Sequence, residues 1–183
     1  MVFLNSCPCV VLDANLRADT LAYISDHCHS ALCADAVSVK KADRLRPILH
    51  RLSFLKVNRA EAEVLVGFPV DDMESVSKAS AQLHAMGIPV VAITLGSSGA
   101  FLSVGSEAYA LPPMAHDGVN YSGCGDAFFA GILHGLTMQK GTLETLRCGL
   151  AMAALSASSP CAVSPDVSSE ALEQILSDSK EEE

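Results

Sequence analysis

The feature that most constrains this chain is an alternation of short apolar runs with longer stretches of helical periodicity. Pro89-Val-Val-Ala-Ile-Thr-Leu95 is a β-branched run closed by Gly96. Cys9-Val-Val-Leu12, Ala31-Leu-Cys-Ala34 and Phe54-Leu-Lys-Val57 are shorter runs of the same kind. Between them, residues 18–30, 41–52, 60–66 and 74–87 carry helical spacing, with Val76, Ala79, Leu83 and Met86 on one stripe that Gly87 ends. Near-continuous apolar strands separated by helices predict a parallel sheet buried on both faces, the α/β class. Strands predicted near 99–104 and 107–111 lie too close for a helical crossover and predict an antiparallel edge hairpin. Helices are expected near 124–139, 142–157 and 168–177.

The 183 residues, half of them apolar, fit one domain or a large part of one. No Gly/Ser linker divides the chain, so residues 1–176 read as one domain. The acidic Ser177–Glu183 reads as a disordered tail. Twelve basic against twenty-one acidic residues give a net charge of −9. That balance argues against a nucleic-acid or anionic membrane partner. It leaves room for a phosphate-bearing small ligand, which backbone amides can hold. No apolar run approaches the twenty or so residues of a membrane span. Met1–Asp13 lacks a basic start, and Asn5, Ser6 and Pro8 interrupt it, so it reads as neither signal peptide nor anchor. Seven scattered cysteines without paired Cys-x-x-Cys motifs fit free thiols and a cytoplasmic location.

Three stretches carry chemistry. In Asn120-Tyr-Ser-Gly-Cys-Gly-Asp126, Gly123 and Gly125 flank Cys124 just before a long apolar helix. Such a turn directs backbone N–H groups outward, and the helix adds its positive end, which suits a transferring phosphoryl group. Asp126, in the first helical turn, can accept a proton from an attacking hydroxyl. A plain turn with a capping Asp reads equally well. Asn58-Arg-Ala-Glu61 follows a predicted strand, at the edge where open α/β sheets bind ligands. Glu61 can hold Mg²⁺ through water; the alternative is a capping arrangement of Asn58 and Glu61. Thr94-Leu-Gly-Ser-Ser-Gly99 ends the clearest strand, and its glycines suit close approach of a nucleotide or an ordinary turn.

Taken together and in this order, the three motifs resemble those of the ribokinase-like, phosphofructokinase-B type sugar and nucleoside kinases. In that family a strand ends in Asn-x-x-Glu, a later strand ends in Thr-Leu-Gly-x-x-Gly, and a Gly-x-Gly-Asp turn opens a helix. Val11-Leu-Asp-Ala-Asn15, Asp35-Ala-Val-Ser38 with Lys40, Lys56–Glu63 and Val163-Ser-Pro165 look most like the pseudouridine kinase subgroup. The resemblance implies a three-layer αβα fold with a mostly parallel sheet, and ATP-dependent phosphorylation of a nucleoside or sugar hydroxyl. It implies Asp126 as catalytic base and the amides of Gly123, Cys124 and Gly125 as an anion hole. Asn58, Thr94, Gly96 and Gly99 would bind ATP, and Glu61 would bind Mg²⁺.

Family members are longer, so this chain is expected to match the ATP-binding and catalytic half. The early strands, the lid and most sugar contacts are expected to be missing, with little turnover by the chain alone. It can also be read as a kinase for another sugar or an adenosine-like nucleoside, or as a non-catalytic nucleotide- or partner-binding fragment. By the same resemblance, Asn120 stands where many relatives place an Asp directed at a monovalent cation or a neighbouring Arg, so potassium dependence stays open, as does assembly into a homodimer. Asp26-His-Cys-His29 reads as a solvent-facing helix end rather than a metal site, for want of a second ligand pair. His116-Asp117 reads as loop.

Overall fold

The structure, a computed structural model, describes residues 1–115 and 118–181. His116-Asp117 therefore lies outside the described residues. The elements are, in order, α1 (Val2–Asn5), β1 (Cys9–Asp13), α2 (Ala18–His27), β2 (Ala31–Asp35) and α3 (Val39–Ala42). A 3₁₀ run (Asp43–Arg51), β3 (Leu52–Asn58), α4 (Arg59–Val66), α5 (Met73–Ala85) and β4 (Val90–Thr94) come next. A short 3₁₀ turn (Gly96–Ser98), β5 (Ala100–Val104), β6 (Glu107–Leu111), α6 (Cys124–Thr137), α7 (Thr142–Ala157) and α8 (Ser169–Glu181) complete the chain. The strands form one sheet in the order β1-β2-β3-β4-β5-β6, and the first four pair in parallel. Two residues, Gly105 and Ser106, join β5 to β6, which makes them the expected antiparallel hairpin at the sheet edge.

The chain divides into two compact units, Met1–Leu95 with Ser103–Glu107 and Gly96–Leu102 with Ala108–Glu183. No composition shift marks this division, because the chain changes units within the β4–β6 stretch rather than at a linker. In the first unit, the crossovers from β1 to β4 advance one strand at a time in one direction. Right-handed connection then places their helices on a common face, and α2 packs on the 3₁₀ run while α4 packs on α5. Phe54, Leu55, Val57, Val91 and Ile93 of the central strands are buried with Leu21, Leu45, Ile48 and Leu83 of the helices. In the second unit, Cys148, Ala151 and Met152 of α7 bury against Leu172 and Leu176 of α8. α6 approaches α7 so closely that a Cβ on Gly131 would stand 2.4 Å from the Cys148 carbonyl oxygen.

Two expectations are corrected. Residues 41–52 carry a helical stripe, yet most of the segment is 3₁₀, with Pro47 inside it. Proline removes an i→i−4 donor and crowds the preceding turn, so the tighter form wins while Leu45, Ile48 and Leu49 still bury. The tail assigned to 177–183 is helical through Glu181, as the end of α8. Its first residues have local partners: Ser177 Oγ donates to Glu173 O (3.0 Å), and Gln174 Nε2 donates to Asp178 Oδ1 (2.8 Å). Among the described residues, no helix is long and apolar enough to cross a membrane.

Candidate functional site

In the first unit, sheet register sets polar residues side by side at the carboxyl ends of the parallel strands. Asp13 pairs with Asp35, Asp35 with Lys56, and Asn58 with Thr94. Asn58 caps α4: its Oδ1 accepts the Glu61 N–H (2.9 Å), and Glu61 Oε2 accepts the Asn58 N–H (2.8 Å). The capping reading of this motif is therefore realised in full. Glu61 is also buried, at 1% exposure, which a surface cap does not require. Burial pushes its carboxyl above the ordinary range, partly offset by the Asn58 N–H and the nearby Lys56 ammonium. An ionised carboxylate disfavoured in this way gains from a neighbouring cation, so Glu61 suits Mg²⁺ held through water.

Lys56 Nζ meets Asp35 Oδ2 at 3.0 Å, and both residues are buried. Asp35 Oδ1 also accepts the Val37 N–H (2.8 Å), and Val37 adopts φ 64. A left-handed β-branched residue is an outlier, here stabilised by the side chain two positions before it. In the sequence Asp35 and Lys56 carry only a resemblance and no role of their own. Their signal was a charge inside each of two apolar runs.

The second unit holds the glycine motifs. Gly99, at φ 92, passes so near the end of β6 that a Cβ would lie 1.9 Å from the Leu111 carbonyl oxygen. Gly96 begins the short 3₁₀ turn in an open setting. Gly123 is the N-cap of α6 at φ 86, and a Cβ there would stand 2.0 Å from the Ala162 carbonyl oxygen. The first intrahelical bond runs from the Ala127 N–H to Gly123 O (2.9 Å), so the amides of Gly125 and Asp126 precede the helical ladder. The Cys124 N–H donates to Tyr121 O over a long 3.4 Å. Asp126 is exposed in the first turn of α6.

Asn120 ties the turn down. Its Oδ1 accepts the Ser122 N–H (2.9 Å), its Nδ2 donates to Pro160 O (3.2 Å), and its N–H donates to Ala157 O (3.0 Å). The structure thus gathers Asn58, Glu61 and Thr94 at one strand edge of the first unit, and Gly123, Cys124, Gly125 and Asp126 in one turn of the second. His27, of the segment read as a helix end, closes α2 and stacks on Tyr23 at 4.2 Å.

Residues 1–168 match the sequence profile described as pfkB family carbohydrate kinase. The chain is 31% identical over 132 residues to the pseudouridine kinase of Escherichia coli, which is 71% of this chain and 42% of that protein. A carbohydrate kinase from Agrobacterium tumefaciens superimposes with a TM-score of 0.79 at 32% identity, covering 96% of this chain and 56% of that one. The ribokinase of Arabidopsis thaliana complexed with ribose and ATP gives a TM-score of 0.82 at 20% identity, over 96% and 57%. The chain thus spans about half the length of these relatives. The likenesses give the fold class as three-layer α/β.

Proposed function

The chain belongs to the pfkB family of carbohydrate kinases, and from that premise we propose that it carries the ATP-binding and catalytic part of a small-molecule kinase. The acceptor is a nucleoside or sugar hydroxyl, with the 5′-hydroxyl of pseudouridine as the leading candidate. The observation that carries this reading is the turn at Gly123. A left-handed glycine locked against Ala162 opens α6, and an exposed carboxylate follows three positions later.

In this mechanism the acceptor hydroxyl oxygen attacks the γ-phosphorus as the bond to the β,γ-bridging oxygen breaks. ADP leaves, and the hydroxyl proton passes to Asp126. The amides of Gly123, Cys124 and Gly125, with the positive end of α6, stabilise negative charge on the equatorial oxygens. The long Cys124–Tyr121 bond is weak enough to be exchanged for a phosphoryl oxygen. Asn58, Thr94, Gly96 and Gly99 border the nucleotide. Glu61 would hold Mg²⁺, which would supply positive charge against the phosphates. The pseudouridine assignment rests on the residues shared with that subgroup and on the similarity to the Escherichia coli enzyme.

The experiment supplies the early strands and lid of the fold to the chain and follows transfer of labelled γ-phosphate from ATP to pseudouridine, ribose and adenosine in parallel. Preferential labelling of pseudouridine supports the assignment. Preferential labelling of ribose or adenosine moves the substrate within the family. Nucleotide binding with no transfer to any acceptor favours the non-catalytic reading.

A further inference from the structure

We infer that Asn120 is a positioning residue: its side-chain amide cross-links the glycine turn to the loop after α7 and so fixes where the turn's amides point. This rests on the phosphoryl-transfer reading above.

Asn120 uses both ends of its amide on different segments. The oxygen accepts from Ser122 N–H, immediately before Gly123, and the nitrogen donates to Pro160 O, forty residues away in sequence. Its main-chain N–H and that of Val119 converge on Ala157 O, the last residue of α7 (3.0 and 2.8 Å). Its main-chain oxygen accepts the Cys124 thiol at 3.8 Å. The cross-link spans a place where the backbones already touch, since Gly123 has no room for a Cβ beside Ala162. The amide adds to the two main-chain bonds on Ala157 O a side-chain bond at the contact itself, its oxygen held within the turn and its nitrogen on the loop.

An aspartate of the same shape cannot. A carboxylate only accepts, so the atom facing Pro160 O would be a second oxygen at 3.2 Å with no proton between them. A protonated carboxylic acid restores the pattern, one oxygen accepting from Ser122 and one O–H donating to Pro160.

The test compares Asn120→Ala and Asn120→Asp with the unmodified chain, each measured at pH 7 and pH 4. The readouts are exchange protection of the Ser122 amide and affinity for a non-hydrolysable ATP analogue with Mg²⁺. Each lost hydrogen bond is worth a factor of about 2–10. Asn120→Ala is expected to lose about tenfold in protection and in affinity at both pH values. Asn120→Asp is expected to match that loss at pH 7 and to return to within about threefold of the unmodified chain at pH 4, where the acid donates. A purely steric role would not produce that recovery.

Unchanged protection in Asn120→Ala, or an Asn120→Asp indistinguishable from the unmodified chain at pH 7, would overturn the inference. Faster exchange with undiminished affinity would also overturn it, leaving Asn120 a structural pin. An unmodified chain that binds no analogue at pH 7 would instead sink the reading on which the inference rests.

Discussion

Gly123→Ala concentrates the energetics of the turn into one substitution. A residue with a Cβ at φ 86 carries about 1–2 kcal/mol of left-handed strain. The Cβ would also stand 2.0 Å from Ala162 O, and a realistic contact of at least 3.0 Å requires the two backbones to part by about 1 Å. That movement stretches the 3.2 Å bond from Asn120 to Pro160 beyond hydrogen-bonding range and removes about another 0.5–1.5 kcal/mol. The expected loss is about 1.5–3.5 kcal/mol, or roughly 3–14 °C in Tm for a chain of this length. Gly96→Ala is the control. Its φ of 61 carries the same strain, but nothing lies within 4 Å of the added Cβ, so about 1–2 kcal/mol is expected. Urea unfolding of both variants gives the difference. A displaced amide cradle should also lower phosphoryl transfer by up to about a hundredfold in Gly123→Ala. If Gly123→Ala proves no more destabilising than Gly96→Ala, the close packing of the turn on Ala162 contributes nothing and the reasoning fails.

Other outcomes follow from the first unit and the thiols. Lys56→Met strands the buried Asp35 carboxylate and should cost about 3–5 kcal/mol in urea unfolding, whereas adding Asp35→Asn should recover most of that loss. Glu61→Gln keeps an oxygen to accept the Asn58 N–H but cannot ionise. Burial raises the Glu61 carboxyl, so its contribution is fully present below the unfolded value and is lost as pH rises through the folded one. The variant should therefore gain stability relative to the unmodified chain between pH 4 and pH 7 while binding Mg²⁺-nucleotide more weakly. A difference that stays flat across that range contradicts the buried-charge argument. Burial holds the Cys33 thiol at about 12, and Cys161 is exposed, so a thiol reagent at pH 8 should label Cys161 rapidly and Cys33 only on unfolding.

Much of the sheet was legible because its strands are apolar runs with clear ends. Pro89–Leu95 predicts β4 to within a residue at each end, and the short spacing of 99–104 and 107–111 predicts the edge hairpin. The 3₁₀ run escaped because hydrophobic periodicity reports a buried stripe, not the hydrogen-bond register beneath it. Residues 177–181 read as a tail because composition does not show the local side-chain bonds that extend α8. At the site, Asn58 and Glu61 were visible as a spaced pair, but that spacing serves capping and metal binding alike. Only burial distinguishes Glu61 from an ordinary cap. The Asp35–Lys56 pair required the β2–β3 register, and the bond from Asn120 to Pro160 joins residues forty positions apart. Neither is encoded in local pattern.

The central claim is that the carboxylate after the glycine turn removes the acceptor's proton, and Asp126→Asn tests it most directly. Turnover and ATP affinity should be measured on the same preparation, with the early strands and lid of the fold supplied and labelled phosphate as the readout. The account predicts a fall in turnover of about a hundredfold to ten-thousandfold, with ATP affinity within about threefold of the unmodified chain. Turnover that persists near the unmodified rate would contradict it.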